Sequence, residues 1–207
     1  MHVDSSIFKA YDIRGEYPEQ LNEEVAYAVG RAFVSFLNPS EVIVGRDMRL
    51  SSPAIKAHLL RGLTEQGADV IDIGLVSTDQ YYFACATLNK PGLMVTASHN
   101  PPRYCGFKMV RDMPYLLSGD SGIGDLRRIV DQDDFSEPSR AGTVRELDLQ
   151  DGFVENVLSV VDRASIAPLK VIADTGNGMV GPSLERVFER LNLLRRRPLL
   201  ALGALRA

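Results

Sequence analysis

The chain has 207 residues, 45% of them hydrophobic and 24% charged, with a formal net charge of −4. That balance is ordinary for a globular protein with a sizeable core, it argues against wholesale disorder, and its length allows one to two domains. A weakly acidic chain without a basic cluster in its body is a poor nucleic-acid binder, and the two cysteines, Cys85 and Cys105, are too few for a disulfide framework. Neither a basic-then-apolar leader nor a long uncharged apolar run is visible, so no membrane association is expected and a reducing, cytoplasmic setting follows by elimination.

Residues 22–37 read as a long amphipathic helix with Val25, Val29, Ala32, Phe33 and Phe36 along one side. Glu41-Val42-Ile43-Val44-Gly45 reads as a buried strand stopped by its glycine. Ser52-Pro53 looks like an N-cap followed by proline at the first helical position, opening a helix that carries Ile55, Leu59, Leu60 and Leu63 and ends near Gly67. A strand over 69–74, a helix over 78–88 and a buried strand over 92–96 follow. Strands alternating with helices predict an α/β fold, its sheet mixed and mostly parallel, with helices on both faces.

A break falls at 131–145, where Asp131-Gln132-Asp133-Asp134 and Ser136-Glu137-Pro138-Ser139 read as an exposed connection. Beyond it, a helix over 150–161, a strand over 170–174, a glycine turn and a helix over 182–191 are expected. One strand between two helices cannot complete a sheet, so this second unit reads as unfinished. Residues 193–207 hold four arginines and no acid; without them the chain carries 19 basic and 27 acidic residues. That stretch reads either as a basic arm for RNA or anionic lipid or as a terminus foreign to the fold.

The sharpest feature is Thr96-Ala97-Ser98-His99-Asn100-Pro101-Pro102, directly after a buried strand. Ligand sites in open α/β sheets gather beyond the carboxyl ends of strands, so Ser98 would be displayed there beside a base and an amide. Lys108, ten residues on, could return to the same edge as a cation. A turn merely stabilised by a serine and an asparagine is the competing reading. Lys9-Ala10-Tyr11-Asp12-Ile13-Arg14-Gly15 offers two cations and a phenol, suited to phosphate or simply to a solvated turn. In Gly45-Arg46-Asp47-Met48-Arg49 the arginines either reach the site or pair locally with Asp47.

Other chemistry has less support. Asp174-Thr175-Gly176-Asn177-Gly178-Met179-Val180-Gly181 contains G-x-G-x-x-G, but the acid that a dinucleotide fingerprint needs about 20 residues on is missing, so the glycines read as permitting a tight turn. His2, His58 and His99 have no metal-ligand spacing. Adjacent Ser98 and His99 on an extended loop would point apart, and no G-x-S-x-G elbow is present, which disfavours a hydrolase.

Together these clusters resemble the α-D-phosphohexomutase family, bacterial phosphomannomutase/phosphoglucomutase enzymes in particular, over residues 5–192. The resemblance rests on residues 9–15, 45–53 and 96–101, on Gly106-Phe107-Lys108, and on the turn at 174–181. It implies a phosphoserine-bearing first domain over 1–140, the start of a second α/β domain over 147–192, and an atypical tail over 193–207. It further implies that Ser98 carries the phosphoryl group exchanged with a hexose phosphate, interconverting 1-phospho and 6-phospho sugars through a bisphosphate. Arg14 and Lys108 would neutralise the moving phosphoryl and assist proton transfer. His99, grouped with them and Ser98 as catalytic, would position the loop and substrate together with Tyr11 and Asn100, and Tyr11, Asn100, Arg14 and Lys108 would bind substrate. Mg²⁺ would take a phosphate oxygen on Ser98, and hexose 1,6-bisphosphate would act as activator. The family's Asp-Gly-Asp-x-Asp-Arg metal loop and its later sugar- and phosphate-binding domains have no counterpart here, and the resemblance stops near Leu193. A truncated gene or shifted reading frame is therefore expected, with little activity from the chain alone. The alternative is a non-catalytic phosphoserine-bearing domain that binds a complementing chain. Cys105 stands where the family often has asparagine.

Overall fold

The computed structural model describes residues 3–167 and 169–191; residues 193–207 and the expectation attached to them lie outside. Two compact units divide the chain, residues 1–147 and 148–207.

The first unit is built on a seven-stranded sheet: β1 (Ile13–Glu16), β2 (Glu41–Arg46), β3 (Asp69–Leu75), β4 (Gly92–Val95), β5 (Tyr104–Asp112), β6 (Tyr115–Leu116) and β7 (Val144–Glu146). Its order is β1-β5-β4-β2-β3-β7, with β6 extending the sheet beside the far end of β5. The pairs β2–β3, β2–β4 and β3–β7 are parallel, whereas β1–β5, β4–β5 and β5–β6 are antiparallel. Four helices accompany it: α1 (Glu23–Leu37), α2 (Ser52–Glu65), α3 (Thr78–Leu88) and α4 (Ile123–Gln132).

Both faces of the sheet are covered. Val42 and Val44 of β2, Val70 of β3, Leu93 and Val95 of β4, and Cys105, Phe107 and Met109 of β5 join one apolar core with α1, α2 and α4. The residues between them, Ile43, Ile71 and Met94, turn to the opposite face, because successive strand side chains alternate. There Cys85 and Tyr81 of α3 lie so close to Gly92 that a Cβ added to it would be 2.8 Å from each. On the first face, α1 and α2 approach through glycines: a Cβ on Gly62 would be 2.2 Å from the Tyr27 carbonyl oxygen.

Local chemistry sets the ends of these helices. Asn22 caps α1 by accepting from the Glu24 and Val25 amides, both at 3.1 Å, and Glu23 and Glu24 suit the positive end of the helix dipole. A reciprocal Ser77–Gln80 capping box opens α3. The expected N-cap at Ser52 is displaced by one residue. Ser51 occupies the cap position without a capping bond, and Ser52 is the first helical residue because its hydroxyl is committed to Asp47, 2.6 Å away.

The connection after α4 is not wholly irregular. Its last part forms β7, held because the Asp69 carboxylate accepts from the Thr143 amide and hydroxyl and from Arg140 at 2.7–3.1 Å. Those charged and neutral donors keep the Asp69 carboxyl far below the usual carboxylate range.

The second unit contains α5 (Gln150–Ser159) and α6 (Val180–Arg190). Arg186 and Arg190 of α6 both donate to Asp151 of α5, at 2.6 and 2.9 Å. The strand expected over 170–174 is not formed: the segment has no regular secondary structure, and Ile172 is 89% exposed. A strand needs a neighbour to take up its backbone donors and acceptors, and none stands beside it among the described residues. The glycine turn does form, with Gly176 at φ 54° and its amide donating to Asp174 Oδ1 at 2.8 Å. No helix among the described residues is long and apolar enough to cross a membrane.

Candidate active site

The serine loop joins β4 to β5, so it closes an antiparallel hairpin instead of leading into a helix. Its backbone is a turn. Ser98 sits at φ 54°, in the left-handed region, which costs a non-glycine residue on the order of 1 kcal/mol. Three local bonds hold it there: the Ser98 amide donates to Thr96 Oγ1 at 3.0 Å, and the amide and side-chain nitrogen of Asn100 donate to the Ala97 carbonyl at 3.1 and 2.9 Å. This turn corrects the expectation that Ser98 and His99 point apart. On a left-handed residue the two side chains converge, and Ser98 Oγ lies 3.2 Å from His99 Nδ1. Both residues are exposed.

The cations arrive from the neighbouring strands. Arg14 on β1 pairs directly with Gly106 on β5, and Lys108 lies two residues further along β5. Residues opposite one another in an antiparallel ladder share a face, as do residues two apart on a strand, so Arg14 and Lys108 are diagonal neighbours. Gly106 is obligatory for this approach: a Cβ there would be 2.2 Å from the Ile13 carbonyl oxygen and 3.2 Å from that of Thr96. Above this face opens a cavity of about 830 Å³, lined by residues including Lys9, Tyr11, Arg14, Asn100, Tyr104 and Lys108.

The cavity is electrostatically mixed. Asp12 and Glu16 also line it, and Asp12 forms an ion pair with Arg14. Lys9 and Lys108 make no ion pair among the described residues. Arg14 Nε is buried without a hydrogen-bond partner, a donor that an incoming oxyanion would satisfy. Tyr11 is 79% exposed at the rim. Of the residues singled out from the sequence, Tyr11, Arg14, Asn100 and Lys108 thus share one cavity, while Ser98 and His99 stand on the loop that contributes Asn100 and are not among its lining residues.

Arg49 is the residue whose place sequence reasoning did not resolve. Both readings of its cluster hold at once: it pairs with Asp47, Nε to Oδ2 at 3.2 Å, and reaches the serine loop. Glu16, Gln20 and Tyr104 were not anticipated, and nothing in their spacing marks them; they enter the cavity from the end of β1, the turn after it and the start of β5.

The described residues do not by themselves fit a magnesium ion. No three His, Cys, Asp or Glu side chains come together among them as a metal-binding group, and the carboxylates of Asp12 and Asp47 are each engaged by an arginine. Burial pushes the Cys105 thiol up to about 11. Packed in the core on the sheet face opposite Lys108, Cys105 is a filler and not a site contact.

An exposed serine on a left-handed turn thus stands in an α/β domain beside a cavity that three cations and two carboxylates line. Residues 5–136 match the family model for phosphoglucomutase/phosphomannomutase, alpha/beta/alpha domain I. A phosphomannomutase of Escherichia coli is 44% identical over 187 residues, which cover 88% of this chain and 41% of that protein. A phosphomannomutase of Klebsiella pneumoniae is 46% identical over 151 residues, covering 72% of this chain and 96% of that protein. Among solved structures, a phosphoglucomutase/phosphomannomutase family protein of Burkholderia thailandensis superposes with a TM-score of 0.82 at 37% identity, over 92% of this chain and 43% of that one. The chain belongs to the phosphoglucomutase/phosphomannomutase family. It spans about two-fifths of the length of the Escherichia coli relative.

Proposed function

We propose that Ser98 accepts and returns a phosphoryl group in the interconversion of hexose 1-phosphate and hexose 6-phosphate, with a hexose 1,6-bisphosphate as the intermediate and activator. In the forward step a sugar hydroxyl oxygen bonds to phosphorus, the bond from phosphorus to Ser98 Oγ breaks, and Oγ keeps that electron pair. The sugar hydroxyl passes its proton to solvent, and the serine oxygen regains one from His99 or solvent. The observation that carries this reading is the convergence of Arg14 and Lys108 on one sheet face at the cavity that Asn100 of the serine loop also lines.

The residues suit the load. A phosphoserine brings close to two negative charges, and its transfer is governed by positioning and by charges fixed in advance around the phosphoryl group. Lys9 and Lys108, which make no ion pair among the described residues, and the unsatisfied Arg14 Nε supply that field. His99 Nδ1, 3.2 Å from Oγ, is within reach to exchange the serine proton. No carboxylate cluster among the described residues would hold magnesium, so no step of this reading runs through the metal. Turnover by the chain alone is accordingly expected to be low, and a complementing chain that supplies metal carboxylates would raise it.

A two-stage label transfer tests the proposal. The chain is loaded from hexose 1,6-bisphosphate labelled in its phosphoryl groups, in the presence of Mg²⁺, and then chased with unlabelled hexose 6-phosphate. Label should enter the protein and leave as hexose bisphosphate, and Ser98→Ala should take up none. Label that never enters the wild-type chain contradicts the reading.

A further inference from the structure

One guanidinium organises the serine loop. Arg49 Nη2 donates to the carbonyl oxygens of Ser98 at 2.8 Å and Asn100 at 2.7 Å, and Nη1 donates to those of Pro101 at 2.8 Å and Tyr104 at 3.0 Å. Three carbonyls of the loop and that of the first residue of β5 therefore converge on a single planar group. That group also forms an ion pair: Nε lies 3.2 Å from Asp47 Oδ2 without the alignment of a hydrogen bond, while Asp47 Oδ1 accepts from the Ser52 hydroxyl at 2.6 Å and from the Arg49 amide at 3.1 Å. The side chains of Arg49 and Asp47 are only 10% and 8% exposed. Ser98 is exposed and its hydroxyl meets only His99 of the same loop among the described residues, so the position of Oγ follows the loop backbone, and that backbone is gathered around Arg49.

We propose that Arg49 is a positioning residue for phosphoryl transfer at Ser98, acting through loop geometry rather than through charge; this rests on the reading of Ser98 given above. Asp47 offsets its charge, so little of it reaches the phosphoryl group. What Arg49 contributes is a fork of fixed shape that can serve four acceptors at once. A lysine keeps the cation beside Asp47 but offers three donors from one point, a geometry unable to span the loop.

Arg49→Lys is the decisive variant, since Arg49→Ala would strand the buried Asp47 carboxylate. Two measurements on the full chain test it. Hydrogen exchange should show the amides of residues 97–105 exchanging at least about ten-fold faster in Arg49→Lys, with α1 and β3 as protected as in the wild type. Label uptake from hexose 1,6-bisphosphate should fall about 100-fold at saturating donor, while the half-saturating donor concentration changes little, because misplacing a reacting group by about 1 Å costs that much. Exchange unchanged in the loop, or uptake restored by lysine, would overturn the proposal. If the wild-type chain takes up no label, the reading of Ser98 fails, and the loop exchange still decides whether Arg49 holds the turn.

Discussion

Gly106→Ala probes the geometry of the site most severely with the smallest change. The added methyl carbon would lie 2.2 Å from the Ile13 carbonyl oxygen, where ordinary contact begins at 3.4 Å, so β1 or β5 must move by more than 1 Å. Neither can do so cheaply. β5 is paired on both sides at this point, Arg14 opposite Gly106 on one side and the Thr96 amide donating to the Gly106 carbonyl at 2.9 Å on the other. Overpacking in a well-packed interior costs about 1–3 kcal/mol and occasionally more, and a backbone oxygen cannot swing aside as a side chain can, so we expect ~3 kcal/mol or more. For a domain of this size each kcal/mol lowers Tm by roughly 2–4 °C, giving a fall of about 6–12 °C in a calorimetric or circular-dichroism melt. Because β1 carries Arg14 and β5 carries Lys108, moving either strand should lower label uptake at Ser98 in the fraction that remains folded. A variant melting within about 1 °C of the wild type would refute the close-packed β1–β5 junction on which the site geometry depends.

Other consequences follow from the same description. Arg14→Met and Lys108→Met should each lower the rate of label uptake by about 100-fold, the usual cost of removing a group that stabilises developing charge; rates within a factor of about two would remove these cations from the site. Burial pushes the thiols of Cys85 and Cys105 up to about 12 and about 11, so an aromatic disulfide reagent at pH 8 should label neither in the folded chain and both in urea. Rapid stoichiometric labelling without denaturant would contradict their burial. The same shifts set a sign for stability at high pH. A thiol whose folded pKa exceeds its unfolded value of roughly 8.5 contributes stability below that value and loses it as pH rises towards the folded pKa. The urea midpoint should therefore fall between pH 9 and 11, and a flat or rising midpoint would show that the thiols are not held neutral.

How far the sequence discloses this molecule depends on which forces shape each element. β2, β3 and β4 were legible because strands covered on both faces read as continuous apolar runs, and α1 and α2 because their apolar residues recur at helical spacing. β5 carries a period-two set, Cys105, Phe107 and Met109, but Gly106 and Lys108 break its apolar look, and the glycine is explained only by a strand packed against it. β1 is four residues long, and β7 exists through Asp69 and the edge of β3, neither of which local sequence announces. The failed strand over 170–174 marks the converse limit, since a suitable composition forms no strand without a partner. At the site, the residue types around Ser98 were readable from chain position and resemblance. The left-handed turn, the contact with His99 and the grip of Arg49 on four carbonyls are tertiary facts.

The most direct test of the account is to identify the atom that takes the phosphoryl group. The wild-type chain would be exposed to labelled hexose 1,6-bisphosphate with Mg²⁺, quenched, digested and mapped by tandem mass spectrometry. Phosphorylation confined to Ser98, and absent from a control lacking the bisphosphate, is the result predicted. Phosphorylation at another serine or threonine with Ser98 unmodified would contradict the central claim.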